Sequence, residues 1–132
     1  MATVEEIMTR HYDAAWANAQ RFWPQVEKSK LSFDLTGSVA GMACYGQKLI
    51  RLNRAYCVAE PVDMVKDTIP HEIAHIIARA VWGFGIRPHG AEWRGVFTVL
   101  TGASANRCHN YGKPSEAIER TAARMLRDLQ RG

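Results

Sequence analysis

Thr68-Ile69-Pro70-His71-Glu72-Ile73-Ala74-His75-Ile76-Ile77 sets two histidines four residues apart, with a glutamate directly after the first. On a helix, side chains at i and i+4 project from one face a turn apart. His71 and His75 can therefore both reach a single ion at about 2.0–2.1 Å, the zinc–nitrogen distance. Glu72, next to the first ligand, is placed to face water at the ion rather than the ion itself, the position of a general base. Ile73, Ala74, Ile76, Ile77 and Ala80 make the remainder apolar, as suits a helix buried behind a metal site with one polar face. In a chain of this composition such a pentapeptide arises by chance on the order of one time in a hundred. Two core histidines bonded to backbone would spell the same letters, so the surroundings must decide.

Downstream, the motif helix is expected to run from about Pro70 to about Trp82, with Gly83 and Gly85 ending it. A third ligand should lie beyond a reversal of the chain. His89 fits: the two glycines let the chain turn back, Pro88 stiffens the approach and Gly90 relaxes the backbone afterwards. Glu92 competes for the same position, as in sites built from two histidines and a glutamate. His89 is preferred because it leaves Glu92 free to orient an imidazole, a role such sites need filled. His11 and His109 are weaker candidates, although His109 lies in the run Arg107-Cys108-His109-Asn110-Tyr111. Glu92 to Leu100 reads as a short helix with Trp93, Val96, Phe97 and Leu100 inward. A last helix is expected over about 115–130. There Ile118, Ala122, Met125 and Leu129 take one side and Arg120, Arg124, Arg127 and Arg131 the other.

Upstream, Val4, Ile7, Met8, Tyr12, Ala15, Trp16, Ala19 and Phe22 recur at three- and four-residue steps, an amphipathic helix that Pro24 stops. From Leu31 the period becomes two. Leu31–Leu35, Val39–Tyr45 and Lys48–Leu52 read as strands, separated by turns at Thr36-Gly37-Ser38 and Gly46-Gln47. An antiparallel three-stranded meander is the expected arrangement. Pro61 suits the first turn of a helix over Val62–Asp67, and Pro70 then starts another helix or kinks the same one.

The chain has 132 residues, 47% of them apolar, which is one domain's worth of core. No run approaches the roughly 20 apolar residues of a membrane span, and the acidic start lacks a secretory pattern. Cys44, Cys57 and Cys108 are odd in number and widely spaced, so neither a disulfide framework nor a zinc ribbon is indicated. Seventeen basic against thirteen acidic residues give a net +4, which permits a nucleic-acid partner without requiring one. The expected class is α+β: an N-terminal helix, the small sheet, the His-Glu-x-x-His helix and C-terminal helices in a single domain over 1–132. The expected location is the cytoplasm, with no membrane partner, or the nucleoid if the arginine stripe meets DNA; a cellular and a viral source both fit the sequence.

The motif helix followed by Pro88-His89-Gly90-Ala91-Glu92-Trp93 resembles the SprT-like metallopeptidase domain, shared by bacterial SprT proteins and the eukaryotic protease Spartan. Ala40-Gly41-Met42-Ala43 leading to Ile50-Arg51-Leu52-Asn53 resembles that family's strand pair, and Arg107-Cys108-His109 resembles the end of its core, so the likeness covers about 31–111. The resemblance implies a zincin-like fold and one zinc ion on His71, His75 and His89, with Glu72 as base. It also implies cleavage of protein or peptide substrates, including proteins attached to DNA. Many relatives continue into a cysteine-rich zinc ribbon, whereas here an arginine-striped helix follows Pro114. That stripe (Arg120, Arg124, Arg127, Arg131) is either a solvated face or a phosphate-contacting one. A non-catalytic zinc module that binds protein or nucleic acid is the alternative. A magnesium nuclease is disfavoured, because no carboxylate cluster is evident. Tyr45, Arg107, His109 and Tyr111 are residue types able to stabilise an oxyanion, and none is assigned that role.

Overall fold

The structure, a computed structural model, describes residues 2–102. Helix α1 (Val4–Phe22) starts where the Thr3 hydroxyl accepts from the Glu6 N–H at 3.1 Å, and Glu5 and Glu6 in its first turn complement the helix dipole. It ends as the Trp23 N–H closes on the Ala19 carbonyl just ahead of Pro24. Its inward stripe is Met8, His11, Tyr12, Trp16 and Ala19. Phe22, which the periodicity places inward, is half exposed, while Trp23 and Val26 just beyond it pack on the core instead. The Tyr12 hydroxyl donates to the Ser29 carbonyl at 2.6 Å and fixes α1 to the entry of the sheet.

Strands β1 (Lys30–Leu35), β2 (Gly41–Cys44) and β3 (Leu49–Asn53) fall close to the expected positions. Their order does not: it is β1-β3-β2, with β3 parallel to β1 and antiparallel to β2. The expected antiparallel meander is thus replaced by a mixed sheet. Burial gives the reason. Ile50 and Leu52 of β3 are fully buried, while Met42 of β2 is 39% exposed, so the most apolar strand takes the centre. The crossing segment between β1 and β2 is held by Asn53, whose amide donates to the Gly37 and Val39 carbonyls at 3.0 Å each. The same side chain accepts from the Ala55 N–H, capping the next helix.

That helix, α2 (Arg54–Ala59), leads through a single turn, α3 (Pro61–Asp63), and a π-helical turn over Met64–Thr68 into α4 (Ile69–Trp82). In the π turn the Ile69 N–H reaches back five residues to Met64. Pro70, which has no N–H to give, therefore sits in the first turn of α4 without breaking the run. Gly83, at φ +85°, ends α4 with its N–H on the Arg79 carbonyl at 2.9 Å. Helix α5 (Ala91–Thr101) packs along α4 and turns Trp93, Val96 and Phe97 inward. Ile69, Ile73, Ala74, Ile77 and Ala78 anchor α4 among α1, the sheet and α5. The fold is α+β, with the expected N-terminal helix, small sheet and motif helix present. Arg107–Tyr111 and the helix expected over 115–130, with Arg120, Arg124, Arg127 and Arg131, lie outside the described residues.

Candidate metal centre

Burial leaves α4 one half-open face, made by Thr68, His71, His75 and Arg79, with Glu72 buried at its margin. His89 enters from the loop between α4 and α5. The three Nε2 atoms form an equilateral triangle: His71 to His75, His75 to His89 and His89 to His71 are each 3.2 Å. Nitrogens placed tetrahedrally at about 2.0–2.1 Å from one ion lie roughly 3.3–3.4 Å apart, so the triangle matches that geometry to within about 0.2 Å. Three imidazole nitrogens this close cannot all be satisfied by hydrogen bonds to one another, whereas one cation satisfies all three. Burial, followed by the neighbouring imidazoles, pulls His71 down to about 4 and His75 to about 3, so both present free lone pairs at neutral pH. This donor set could hold a metal ion, and nitrogen ligands of this kind suit zinc.

Glu72 lies beside the triangle, its Oε2 4.0 Å from the His71 Nε2, and it is only 8% exposed. Desolvation pushes its carboxyl up to about 7; a hydrogen bond from the backbone of Ala43 opposes this, and the nearby Asp67 adds to it. A bound dication would draw it down again by direct attraction. The Ala43 contact ties Glu72 to strand β2. Gly41 permits the approach, because a Cβ there would meet Thr68 Cγ2 at 2.7 Å and Glu72 Cγ at 3.2 Å. The Asn53 N–H to Ala40 carbonyl bond fixes the phase of the β2–β3 ladder. The backbone groups of Gly41 and Ala43 accordingly point away from β3, toward the α4 side of the strand.

Trp93 is the residue whose role the sequence did not reveal. Marked only as an inward apolar position, it packs its ring against all three imidazoles, at centroid distances of 4.8 Å to His71, 5.4 Å to His75 and 4.8 Å to His89. Its indole N–H donates to the His71 carbonyl at 3.1 Å, and Phe97 stacks behind it at 5.0 Å. A tryptophan four residues after a candidate ligand in a return loop was the available signal. Glu92 lies in the first turn of α5 with its carboxylate over Gly90, and no hydrogen bond joins it to a histidine among the described residues. Gly90 itself has an extended backbone at φ −79°, so glycine is favoured by crowding: a Cβ would meet Arg87 Cβ at 3.1 Å. His11 is buried on α1, away from the triangle. Tyr45 borders the far end of the cleft, where the Arg79 guanidinium sits 4.4 Å from its ring centroid. His109, Arg107 and Tyr111 fall outside the described residues. No helix among those described is long and apolar enough to cross a membrane.

Residues 8–110 match the sequence profile of the SprT-like family. Protein SprT of Pseudomonas syringae pv. tomato is 30% identical over 118 residues, covering 89% of this chain and 72% of that protein. The proteins of the same name from Pseudomonas savastanoi pv. phaseolicola and a Pseudomonas putida strain are 32% and 34% identical over 109 residues each, covering 66% and 65% of their lengths. The chain therefore spans about two thirds to three quarters of these relatives. No solved structure matches it. With the profile covering most of its length and its histidine triangle set as described, the chain belongs to the SprT-like family.

Proposed function

We propose that the chain is a zinc-dependent endopeptidase acting on extended polypeptide, with His71, His75 and His89 as ligands and Glu72 as general base. The observation that carries this reading is the 3.2 Å triangle of Nε2 atoms with a buried carboxylate beside it. Three protein ligands among the described residues leave a tetrahedral ion one open position, the mark of a chemical rather than a purely structural site. Zinc bound there would supply a Lewis acid that polarises a carbonyl and makes water more acidic.

The remaining work falls to the chain. The Gly41 N–H and C=O and the Ala43 C=O are left unused by β3, and a substrate segment pairs on them through its backbone, so recognition depends little on side chains and selects unfolded stretches. Glu72 takes a proton from the attacking water and returns it to the amide nitrogen as the C–N bond breaks, which balances the hydrolysis. Burial, which raises the affinity of its carboxylate for a proton, helps Glu72 take that proton up. Trp93 holds the imidazoles in place and keeps water from their inner side.

The experiment is digestion of an unfolded protein by the zinc-loaded chain and by Glu72→Gln. The variant should retain one zinc per chain and cut at least a hundredfold more slowly; undiminished cutting would end the proposal. The chain's own resemblance to the domain that Spartan shares suggests DNA-attached proteins as substrates, with Arg120, Arg124, Arg127 and Arg131 as phosphate contacts. DNA affinity should then fall steeply with salt, and the slope should shrink when these arginines are replaced. Binding that ignores salt would remove DNA from the picture.

A further inference from the structure

His71, His75 and Arg79 succeed one another at four-residue steps along α4, so Arg79 lies on the ligand face one turn beyond His75, about 6 Å further along the axis. Its guanidinium is held between two rings, 4.4 Å from the Tyr45 centroid and 5.2 Å from that of Phe84, which themselves meet edge to face at 6.0 Å. Arg51 and Arg54 each have a carboxylate at 2.9 Å, but Arg79 has no ion pair among the described residues. Phe84 is 70% exposed and Trp82 49%, so the clamp stands at the mouth of the cleft rather than inside the core. A half-buried cation fixed by two aromatic faces, hydrogen-bonded to the Tyr45 hydroxyl and with no carboxylate on it among the described residues, is a ready anion receptor.

The direction of the cleft says where on a substrate that receptor would act. Strand β2 and α4 run the same way: Gly41 lies beside Thr68 and Glu72, and Tyr45, just past the end of β2, lies beside Arg79. A segment pairing antiparallel to β2 therefore travels from the Arg79 end toward the Thr68 end, with its N-terminal residues at the clamp. The centre of the triangle is about 9 Å from Arg79 along the helix, or roughly two to three residues of extended chain.

We infer that Arg79, clamped by Tyr45 and Phe84, is a specificity residue that receives an aspartate or glutamate side chain two or three positions before the cleaved bond. This rests on the peptidase reading given above and adds to it a charge preference that pairing through the backbone alone would not produce. A peptide is favoured over a nucleic acid because the clamp offers one cation beside a strand edge and the Glu72 carboxylate, not a track of successive phosphate contacts.

The test uses the zinc-loaded protein and fluorogenic peptides that differ only in bearing Glu, Gln or Lys at each of the three positions before the bond. Peptides with Glu at the second or third position should be cut about tenfold more efficiently than those with Gln, the gain lying in KM. Arg79→Gln should erase the preference, Arg79→Lys should restore part of it, and Arg79→Glu should reverse it toward Lys, all at unchanged zinc content. The same peptides, bound to zinc-loaded Glu72→Gln and followed by fluorescence anisotropy, read the subsite without turnover. Discrimination in binding but no cleavage would keep the subsite and overturn the peptidase reading. Cleavage without charge preference, or a preference indifferent to Arg79, would overturn the subsite. Arg79-dependent displacement of the peptides by a single-stranded oligonucleotide, without charge preference among them, would also overturn it and assign the clamp to nucleic acid. Neither cleavage nor binding would overturn both.

Discussion

A buried carboxyl should burden the fold that buries it, and Glu72 makes the size of that burden measurable. Its carboxyl is displaced from 4.5 to about 7, chiefly by desolvation, at a side chain only 8% exposed. One pKa unit is worth 1.36 kcal/mol, so the rise from 4.5 to about 7 amounts to about 3 kcal/mol. The folded value is the higher one, so the folded state holds its proton longer. Below about pH 4.5 both states are protonated and there is no penalty. As pH rises from 4.5 to 7 the unfolded chain releases the proton first and stability falls; above 7 the penalty is complete. Glu72→Gln removes the titration while keeping an oxygen to accept from the backbone of Ala43. In the presence of chelator, the variant should match the parent near pH 4 and exceed it by about 3 kcal/mol at pH 8. Urea unfolding followed by tryptophan fluorescence measures both. His71 and His75 titrate in the opposite sense, losing stability as pH falls below 6.5, but they are common to both proteins and drop out of the difference. Zinc should narrow the gap by favouring the ionised carboxylate. Stability curves that stay parallel from pH 4 to pH 8 would refute the reasoning.

Other outcomes follow from individual contacts. His89→Ala should reduce bound zinc at least a hundredfold in affinity, whereas Glu92→Gln should leave it within a few-fold, both by competition with a chromogenic chelator; equal losses would return Glu92 to the ligand set. Gly41→Ala should keep its zinc yet lose at least tenfold in cleavage and about 1–3 kcal/mol in stability, because the new methyl displaces Glu72 and Thr68; wild-type activity would show that strand β2 can yield. Trp93→Ala should cost about 3–5 kcal/mol and also weaken zinc binding, since a fully buried ring and the platform under three imidazoles are lost together; a stability loss with unchanged zinc affinity would confine Trp93 to the core.

The parts of the molecule governed by local rules could be read from the residues. The four-residue spacing of His71 and His75, the stop at Gly83 and the return to His89 are set by helix period and turn chemistry, and the triangle follows. The strands were also visible as alternation, but alternation says nothing of neighbours. Whether β3 pairs with β1 or only with β2 depends on Ile50 and Leu52 being more completely buried than anything on β2, and on Asn53 holding the crossing segment. Trp93 illustrates the same limit. A tryptophan at a helical inward position reads as core, and only the packing of α5 against α4 turns it into the floor of the site. The π turn before α4 escaped for a further reason: Pro70 announced an irregularity without specifying whether the helix would break or widen.

The hydrogen bond between Glu72 and the backbone of Ala43 also bears on how the protein behaves among its own copies. A short open strand is a template for any other strand, including the same one from a second molecule, and proteins ordinarily blunt such edges with charge. On the pairing proposed above this edge must stay free for substrate, and Glu72 occupies one of its few outward donors while placing a carboxylate over it. The usual choice of inactive variant is therefore not neutral. Glu72→Ala frees an N–H on the edge, inviting self-association that an incautious pull-down would record as partners. Glu72→Gln keeps the acceptor and is the better bait.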